Sequence, residues 1–198
     1  MGSDNPIGAD NQQERLDDYL AGYVDGEGSF HVAIQRNPST KTKWQLVPEF
    51  HVSQNPERGS ILDLLKERLG CGRIQRNASK RSRDKSLVFV VRNRMDLLTK
   101  VLPFFEAHPI LSQKRIEFET FAAIVRAMGS GEHLSETGFH RLVEKALSMN
   151  GGGKYRRTDW SSRILRGHTP DTHSRSPADR EGVKRWSDLH GDMQSQAE

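Results

Sequence analysis

The 198-residue sequence predicts an α+β fold whose elements follow one another in the order αββαββα. Apolar residues first recur at helical spacing between residues 14 and 27, and then alternate with polar residues over two neighbouring stretches. Spacings of three and four residues indicate a helix with one buried face, and strict alternation indicates a strand with one buried face. This succession of a helix and a hairpin occurs twice, so the chain contains a weak internal repeat.

The first helix is predicted to begin at Glu14 and to end at the glycines of residues 26–28, which favour a helix C-terminus. The first hairpin then has strands near residues 30–35 and 44–54. Pro48 predicts an edge position or a bulge in the second of these strands, because proline cannot donate to a sheet ladder.

Asn55–Pro56 predicts the start of a second helix, with an asparagine cap before a proline in the first turn, and Gly70 ends that helix. A second hairpin is predicted from strands at residues 71–77 and 86–92. Further helices are expected at residues 93–106, 112–128 and 137–149.

The folded domain is expected to span residues 14–153. Residues 1–13 are polar and lack a period, so they are predicted to be disordered. Residues 154–198 are rich in Ser, Arg, His, Asp and Pro, and are expected to form a mostly disordered extension.

Several classes of protein are excluded by composition. No run approaches the ~18 apolar residues of a membrane span, and the first residues lack the apolar core of a secretory signal. The single cysteine, Cys71, excludes an internal disulfide framework and a multi-cysteine metal site. We therefore expect no membrane partner and a reducing compartment, either the bacterial cytoplasm or an organellar matrix.

Positive charge is concentrated in two segments of a chain whose net charge is +4. Residues 71–94 carry eight basic residues and one acid, and residues 31–45 contain basic residues without an acid. A charged run alone is more often a solvated loop. If both segments lie on one surface, they form a patch suited to a polyanion such as nucleic acid.

One short motif carries the functional signal. Residues 20–28 read Leu-Ala-Gly-Tyr-Val-Asp-Gly-Glu-Gly and directly precede the first predicted hairpin. This stretch resembles the signature of the LAGLIDADG homing endonucleases, and the Ser-Phe pair after it also fits that family. The resemblance extends to the αββαββα order, to GCGRI at residues 70–74, to HPILSQKRIEF at residues 108–118 and to SMNGGGKYR at residues 148–156.

The resemblance implies a homing-endonuclease fold, with a saddle-shaped antiparallel sheet facing DNA and the motif helix at a dimer interface. Because only one copy of the motif is present, it implies a homodimer. Small residues on a helix let two backbones approach closely. The interface residues expected on this basis are Leu20, Ala21, Gly22, Val24 and Asp25, with Asp25 also bracing the end of the helix.

The same resemblance implies that Glu27 is the catalytic metal ligand, with the backbone carbonyl of Gly26 as a further ligand. Two-fold symmetry would bring the Glu27 carboxylates of both subunits together, and hard oxygen ligands select Mg²⁺. Mn²⁺ is expected to substitute for Mg²⁺, whereas Ca²⁺ is expected to support binding without cleavage.

Three further catalytic residues are expected around Glu27. By resemblance, Gln54 orients the attacking water; the alternative is an ordinary polar residue at a strand end. Arg58 is expected either to steady the scissile phosphate or to be an ordinary surface cation. Lys114, in the late helix, is expected to balance charge in the transition state.

The polar faces of the two hairpins are expected to read DNA, because a two-stranded ribbon fits the major groove. Glu49 is interpreted either as an acceptor from cytosine or as a residue that repels phosphate. Loop cations are expected to contact phosphates, which position the protein without specifying sequence. The predicted DNA-binding residues are His31, Ala33, Gln35, Arg36, Lys41, Lys43, Gln45, Val47, Glu49, His51, Arg73, Gln75, Asn77, Lys80, Arg81, Arg83 and Lys85.

The sequence thus predicts an intron-encoded, Mg²⁺-dependent endonuclease. We expect it to cut double-stranded DNA at the centre of a long pseudo-palindromic site and to leave short 3′ overhangs. One alternative is an RNA maturase that binds intron RNA on the same fold. Others are a non-catalytic DNA-binding regulator, or a basic α+β protein with a chance match to the motif.

Overall fold

The computed structural model describes residues 7–77 and 85–152. The helices are α1 (Ile7–Glu27), α2 (Ser60–Leu69), α3 (Arg94–Asp96), α4 (Leu102–Ala107), α5 (Lys114–Gly129) and α6 (Glu136–Gly152). The strands are β1 (Gly28–Arg36), β2 (Trp44–Gln54), β3 (Arg73–Arg76) and β4 (Leu87–Val91). Since the π-helical turn Leu97–Val101 joins α3 to α4 in one helical segment, the predicted α+β class and αββαββα order are confirmed.

The first helix is longer than the sequence predicted. It begins at Ile7 rather than Glu14, so residues 7–13 are helical and the prediction that they are disordered is wrong. The described side chains from residue 11 to residue 15 are all exposed, and a helix that buries nothing leaves no apolar period to detect. The predicted disorder of residues 1–6 and of the extension after residue 153 lies outside the described residues.

The four strands form one antiparallel sheet in the order β1-β2-β4-β3. In the first hairpin, Gly28 pairs with Val52 and Arg36 with Trp44. The second hairpin joins it through β2 and β4, where Phe50 pairs with Val91 and Gln54 with Leu87. Pro48 pairs with Val32 of β1, whereas β4 pairs only with residues 50–54 of β2. Among the described strands, β2 therefore has a neighbour on one side only at Pro48, as the predicted edge position requires.

One face of the sheet packs on the helices through a cluster of phenylalanines. The Phe30 ring lies 5.2 Å from that of Phe50, 5.3 Å from Phe105 of α4, and 5.1 Å and 5.5 Å from Phe118 and Phe121 of α5. Burial of each phenylalanine stabilises the fold by about 1.5–3 kcal/mol. The predicted alternation along the strands is therefore confirmed, and the apolar residues of the strands face the core.

A network of polar side chains around the buried Asp17 joins α1 to α2 and to the end of α4. The Asp17 carboxylate accepts hydrogen bonds from Arg68 Nε and, at 2.6 Å, from Arg68 Nη2. His108 lies with Nε2 3.5 Å from Asp17 Oδ2 and Nδ1 2.8 Å from Asp18 Oδ1. The Asp17 side chain is only 4% exposed, so the network holds α1 in a defined orientation. Among the described helices, none combines the length and the apolar composition needed to cross a membrane.

Candidate active site and nucleic-acid face

The C-terminal end of α1 is held by a lysine from α5. Lys114 Nζ donates to the carbonyl oxygens of Val24, Asp25 and Gly26 at 3.0, 2.6 and 3.3 Å. A cation at this end of a helix satisfies free carbonyls and opposes the negative end of the helix dipole. Burial lowers the pKa of the Lys114 ammonium, although the charges of Asp25, Glu117 and Glu27 act in the opposite direction. The structure thus places Lys114 beside Glu27, which is exposed as the last residue of α1.

Asp25 braces this helix end, as the sequence predicted. Its carboxylate accepts hydrogen bonds from the backbone N–H groups of Leu111 and Ser112, at 3.2 and 3.0 Å, and from Ser112 Oγ. Burial acts to raise the pKa of the Asp25 carboxyl, but these hydrogen bonds and the nearby Lys114 outweigh it and lower the pKa. Because the carboxylate is engaged within its own chain, its predicted place in a subunit interface is not supported.

Tyr23 links three residues of the predicted site. Gln54 Nε2 donates to Tyr23 Oη at 2.5 Å, and Gln54 Oε1 accepts from the backbone N–H of Asn55 at 2.7 Å. Burial raises the pKa of the Tyr23 hydroxyl, and the charge of Glu27 raises it further. The Gln54 hydrogen bond and the charge of Arg58, which ends the turn Pro56–Arg58, act in the opposite direction.

The structure therefore brings Glu27, Gln54, Arg58 and Lys114 to one end of α1, although they come from four separate elements. Sequence reasoning missed Tyr23. A helix places residues four apart on one face, so the spacing between Tyr23 and Glu27 was the signal that could have identified it.

The predicted interface residues divide between two faces of α1. Leu20 and Val24 are 0% exposed and Ala21 is 4% exposed, so the prediction that their side chains meet a second subunit is wrong. They pack in the core of their own chain, because this helix crosses its own sheet. Gly22 is exposed, and a Cβ added at Gly22 or Gly26 would meet nothing within 4 Å.

The opposite face of the sheet is the polar face. Register places Gln35 beside Gln45, Ala33 beside Val47, and His31 beside Glu49. Across the other strands, His51, Val90 and Arg73 align, as do Ser53, Val88 and Gln75. The strand residues predicted to bind DNA thus share one face, as the alternation required. We define the polar face by these residues: Ser29, His31, Ala33, Gln35, Gln45, Val47, Glu49, His51, Ser53, Arg73, Gln75, Val88 and Val90.

The middle of the polar face contains a partly buried acidic residue with two partners. Arg92 Nε donates to Glu49 Oε2, and His51 Nδ1 lies 3.3 Å from Glu49 Oε1. Burial alone would raise the pKa of the Glu49 carboxyl, but the hydrogen bonds and charges of His51 and Arg92 overcome it and lower the pKa to about 2. His51 is only 6% exposed, so little of its side chain is available for the predicted contact with DNA.

The tip of the first hairpin is tied by side-chain hydrogen bonds. Asn37 Nδ2 donates to Gln45 Oε1 at 2.8 Å, and Gln45 Nε2 lies 3.5 Å from Gln35 Oε1. Arg36 and Lys41 are exposed, and Lys43 Nζ donates to the Pro38 carbonyl at 2.9 Å. In the second hairpin Arg73 and Lys85 are exposed, and Asn77 donates its backbone N–H to the Ser86 carbonyl. The predicted phosphate contacts Lys80, Arg81 and Arg83 lie outside the described residues.

Comparison with known proteins decides the family. The model of the family described as LAGLIDADG endonuclease matches residues 20–125, more than half of the chain. The chain belongs to the LAGLIDADG endonuclease family.

Related proteins agree with this assignment. "Probable intron-encoded endonuclease 3" of Neurospora crassa is 31% identical over 133 residues, which are 67% of this chain and 24% of that protein. The crystal structure of the homing endonuclease I-TnaI is 34% identical with a TM-score of 0.64, covering 76% of this chain and 94% of that one. The archaeal intron-encoded homing endonuclease I-Vdi141I, solved with DNA, is 29% identical with a TM-score of 0.68, covering 78% and 95%. The chain spans about a quarter of the length of the first curated relatives it matches.

The LAGLIDADG motif ends in a donor set that fits a hard cation only in part. Among the described residues, no group of three or more His, Cys, Asp or Glu side chains lies close enough to hold a metal ion. The Glu27 carboxylate and the Gly26 carbonyl are oxygen donors at an exposed position, although the Gly26 carbonyl also accepts from Lys114 Nζ at 3.3 Å. Mg²⁺ is commonly held by one or two carboxylates together with substrate phosphates. The site therefore fits Mg²⁺ if a second carboxylate and phosphate oxygens complete it.

Proposed function

We propose that this chain is a metal-dependent, site-specific endonuclease that cuts both strands of DNA as a homodimer. The observation that carries the proposal is the end of α1, where exposed Glu27 and the Lys114 ammonium lie together. This end leads directly into β1, the first strand of the polar face. A phosphodiester on that face would thus lie next to both a carboxylate and a cation.

The exposed face of α1 supports the homodimer. Gly22 and Gly26 lie four residues apart, and neither is required by packing within the chain. Gly22 lies in the helix interior, where glycine costs about 1 kcal/mol of helix stability relative to alanine. Paired small residues allow two helices to approach closely. A second copy of α1 packed against Gly22 and Gly26 would account for small residues on this exposed face. Two-fold symmetry would then bring a second Glu27 to the site.

The chemistry follows from the groups at this end of α1. Glu27 of each subunit and the Gly26 carbonyl would hold Mg²⁺, which when bound supplies water activation and charge neutralisation at the phosphate. Lys114 places a fixed positive charge where negative charge develops in the transition state. The Gln54 amide is held beside the site at both of its polar atoms, since Nε2 donates to Tyr23 Oη and Oε1 accepts from the Asn55 N–H. The amide is therefore oriented before DNA binds.

The polar face supports duplex DNA as the substrate. Gln35, Gln45 and Arg73 carry the groups that read base edges in the major groove, and Arg36, Lys41 and Lys85 are exposed at the hairpin ends. Two such faces related by two-fold symmetry require a long pseudo-palindromic site with the cut at its centre. Relatives named as intron-encoded support a gene carried within an intron.

A cleavage selection tests this proposal. The purified chain is incubated with a plasmid library that carries long randomised inserts, in Mg²⁺, in Ca²⁺ and in EDTA. We expect linear plasmids with one recovered sequence family in Mg²⁺, short 3′ overhangs, and bound but uncut plasmid in Ca²⁺. Sequence-specific binding without cleavage in every metal would contradict the nuclease and favour a regulator. Binding to intron RNA alone would favour a maturase.

A further inference from the structure

Arg92 directly follows β4 beside the polar face, and it was not among the predicted DNA-binding residues. Val90 pairs with His51 and Val91 with Phe50, so the next residue of the chain comes opposite Glu49 on the polar face. The hydrogen bond from Arg92 Nε to Glu49 Oε2 agrees with that placement. Arg92 is therefore held in the middle of the face proposed to bind DNA.

The environment fixes one end of this guanidinium and leaves the other toward solvent. The side chains of Glu49 and His51 are 16% and 7% exposed, whereas that of Arg92 is 48% exposed. The bond to Glu49 uses Nε, so the two terminal amino groups of Arg92 are not required for it. An arginine ordered before binding loses less conformational freedom on contact with a ligand.

We propose that Arg92 reads a guanine in each half of the DNA target and that Glu49 is its positioning residue. The inference rests on the proposed function and names one element of its specificity. A guanidinium donates in parallel to O6 and N7 of guanine, the commonest specific contact in the major groove. Such a contact needs a guanidinium whose paired donors are oriented, which the anchored Nε supplies. It depends on the identity of the base, whereas a phosphate contact does not.

The register also gives the position of this guanine. Glu49 pairs with His31, which lies three residues along β1 from Gly28 at the end of the motif helix. At about 3.3 Å per strand residue, that is about 10 Å from the helix end. Since base pairs of B-DNA rise about 3.4 Å per step, the guanine is expected about three base pairs outward from the pair beside Gly28.

The test compares DNA specificity for the wild type and two lysine variants. Each protein selects from the same library of randomised duplexes, without Mg²⁺, and preferences are counted at every position. For the wild type we expect guanine at one position in each half-site. Arg92→Lys keeps the positive charge but loses the paired donors of the guanidinium. The preference for guanine should therefore fall by about ten- to hundredfold. Other positions and the salt dependence should be unchanged.

Arg94→Lys is the matched control, because Arg94 lies two residues along the chain in α3 and contacts His133 instead. It should give the wild-type profile. Glu49→Gln should weaken the guanine preference at the same position only, since Arg92 stays present but loses its anchor. Thermal unfolding of each variant shows whether the fold is kept.

Two results would overturn the inference while leaving the proposed function intact. The first is an unchanged guanine preference in Arg92→Lys. The second is an equal loss of affinity at every position, which would indicate a phosphate contact. If the wild type selects no sequence, both the inference and the proposed function fail.

Discussion

At the scale of single residues, Lys114 shows how one side chain combines structure with chemistry. Its ammonium binds three carbonyls at the end of α1 and lies close enough to Glu27 for their charges to interact. Burial disfavours the charged form of Lys114. Beside the expected phosphate, however, a positive charge would stabilise the transition state. Sequence resemblance suggested the residue, and the structure supplies the contacts.

We predict that Lys114→Met lowers the single-turnover cleavage rate by a factor on the order of 100, as removal of one charge-stabilising group does in other enzymes. DNA affinity, measured without Mg²⁺, should fall much less. Lys145→Met, at an exposed position of α6, is the control and should cleave like the wild type. A Lys114→Met rate within a few-fold of the wild type would contradict this role.

Glu49 gives a prediction about pH. Its folded pKa of about 2 lies below the ordinary 4.5, so the carboxylate stabilises the folded state at neutral pH. This stabilisation is complete above pH 4.5 and is lost as pH falls toward 2. Wild type should exceed Glu49→Gln in free energy of unfolding at pH 6, on the order of 2 kcal/mol, and by clearly less at pH 3. Urea unfolding of both proteins measures the difference, with exposed Glu57→Gln as the control.

An equal difference at the two pH values would show that Glu49 does not act through its charge.

At the scale of elements, α1 has two distinct faces. One face, with Leu20 and Val24, packs in the core, and the other exposes Gly22 and Gly26. Gly22 lies in the helix interior, where glycine is destabilising, and no packing within the chain requires it. We propose that a second α1 packs against this face.

Gly22→Leu should therefore give a folded monomer. A side chain at this position meets nothing within its own chain, but it would keep two α1 helices apart. Sedimentation velocity should show loss of the dimer, while thermal unfolding shows that the fold is kept. Glu144→Leu, which adds the same side chain to an exposed position of α6, should remain dimeric. A dimer of unchanged stability in Gly22→Leu would exclude this interface.

Local pattern predicted most of the elements, because each depends on neighbours within a few residues. The alternation along β1 and β2 gave both the strands and the face that each side chain occupies. The burial of His51 was missed, because its surroundings include Val90 and Arg92, about forty residues away in the chain. For a similar reason, Leu20 and Val24 were predicted at a subunit interface although they pack in the core of their own chain. The motif predicts a helix but not which face of it packs on its own sheet.

At the scale of the whole molecule, the orientation of α1 depends on the network of Asp17, Arg68 and His108. This network joins the middle of α1, at Asp17, to α2 and to the residue that follows α4, whereas the candidate active site lies at the C-terminal end of α1. It had no recognisable motif, since its members are separated by 51 and 40 residues. Only the folded chain brings them together.

Removal of one partner should show the cost of this network. Arg68→Met would leave the buried Asp17 carboxylate without its guanidinium. Because the Arg68 side chain is 37% exposed, we expect a loss of about 2 kcal/mol, less than for a pair that is buried on both sides. Urea unfolding should show that loss, and Asp17→Leu combined with Arg68→Met should recover part of it. Lys66→Met, at an exposed position of the same helix, is the control. If Arg68→Met costs no more than Lys66→Met, the network does not stabilise the fold.

The most direct test of the proposed active site compares the wild type with Glu27→Gln on one selected DNA target. Glu14→Gln, an exposed change in the same helix, serves as the control. DNA binding is measured in Ca²⁺ and cleavage in Mg²⁺. We predict that Glu27→Gln binds within a few-fold of the wild type but gives no detectable linear product, whereas Glu14→Gln behaves as the wild type in both assays. Cleavage by Glu27→Gln near the wild-type rate would contradict the proposed active site.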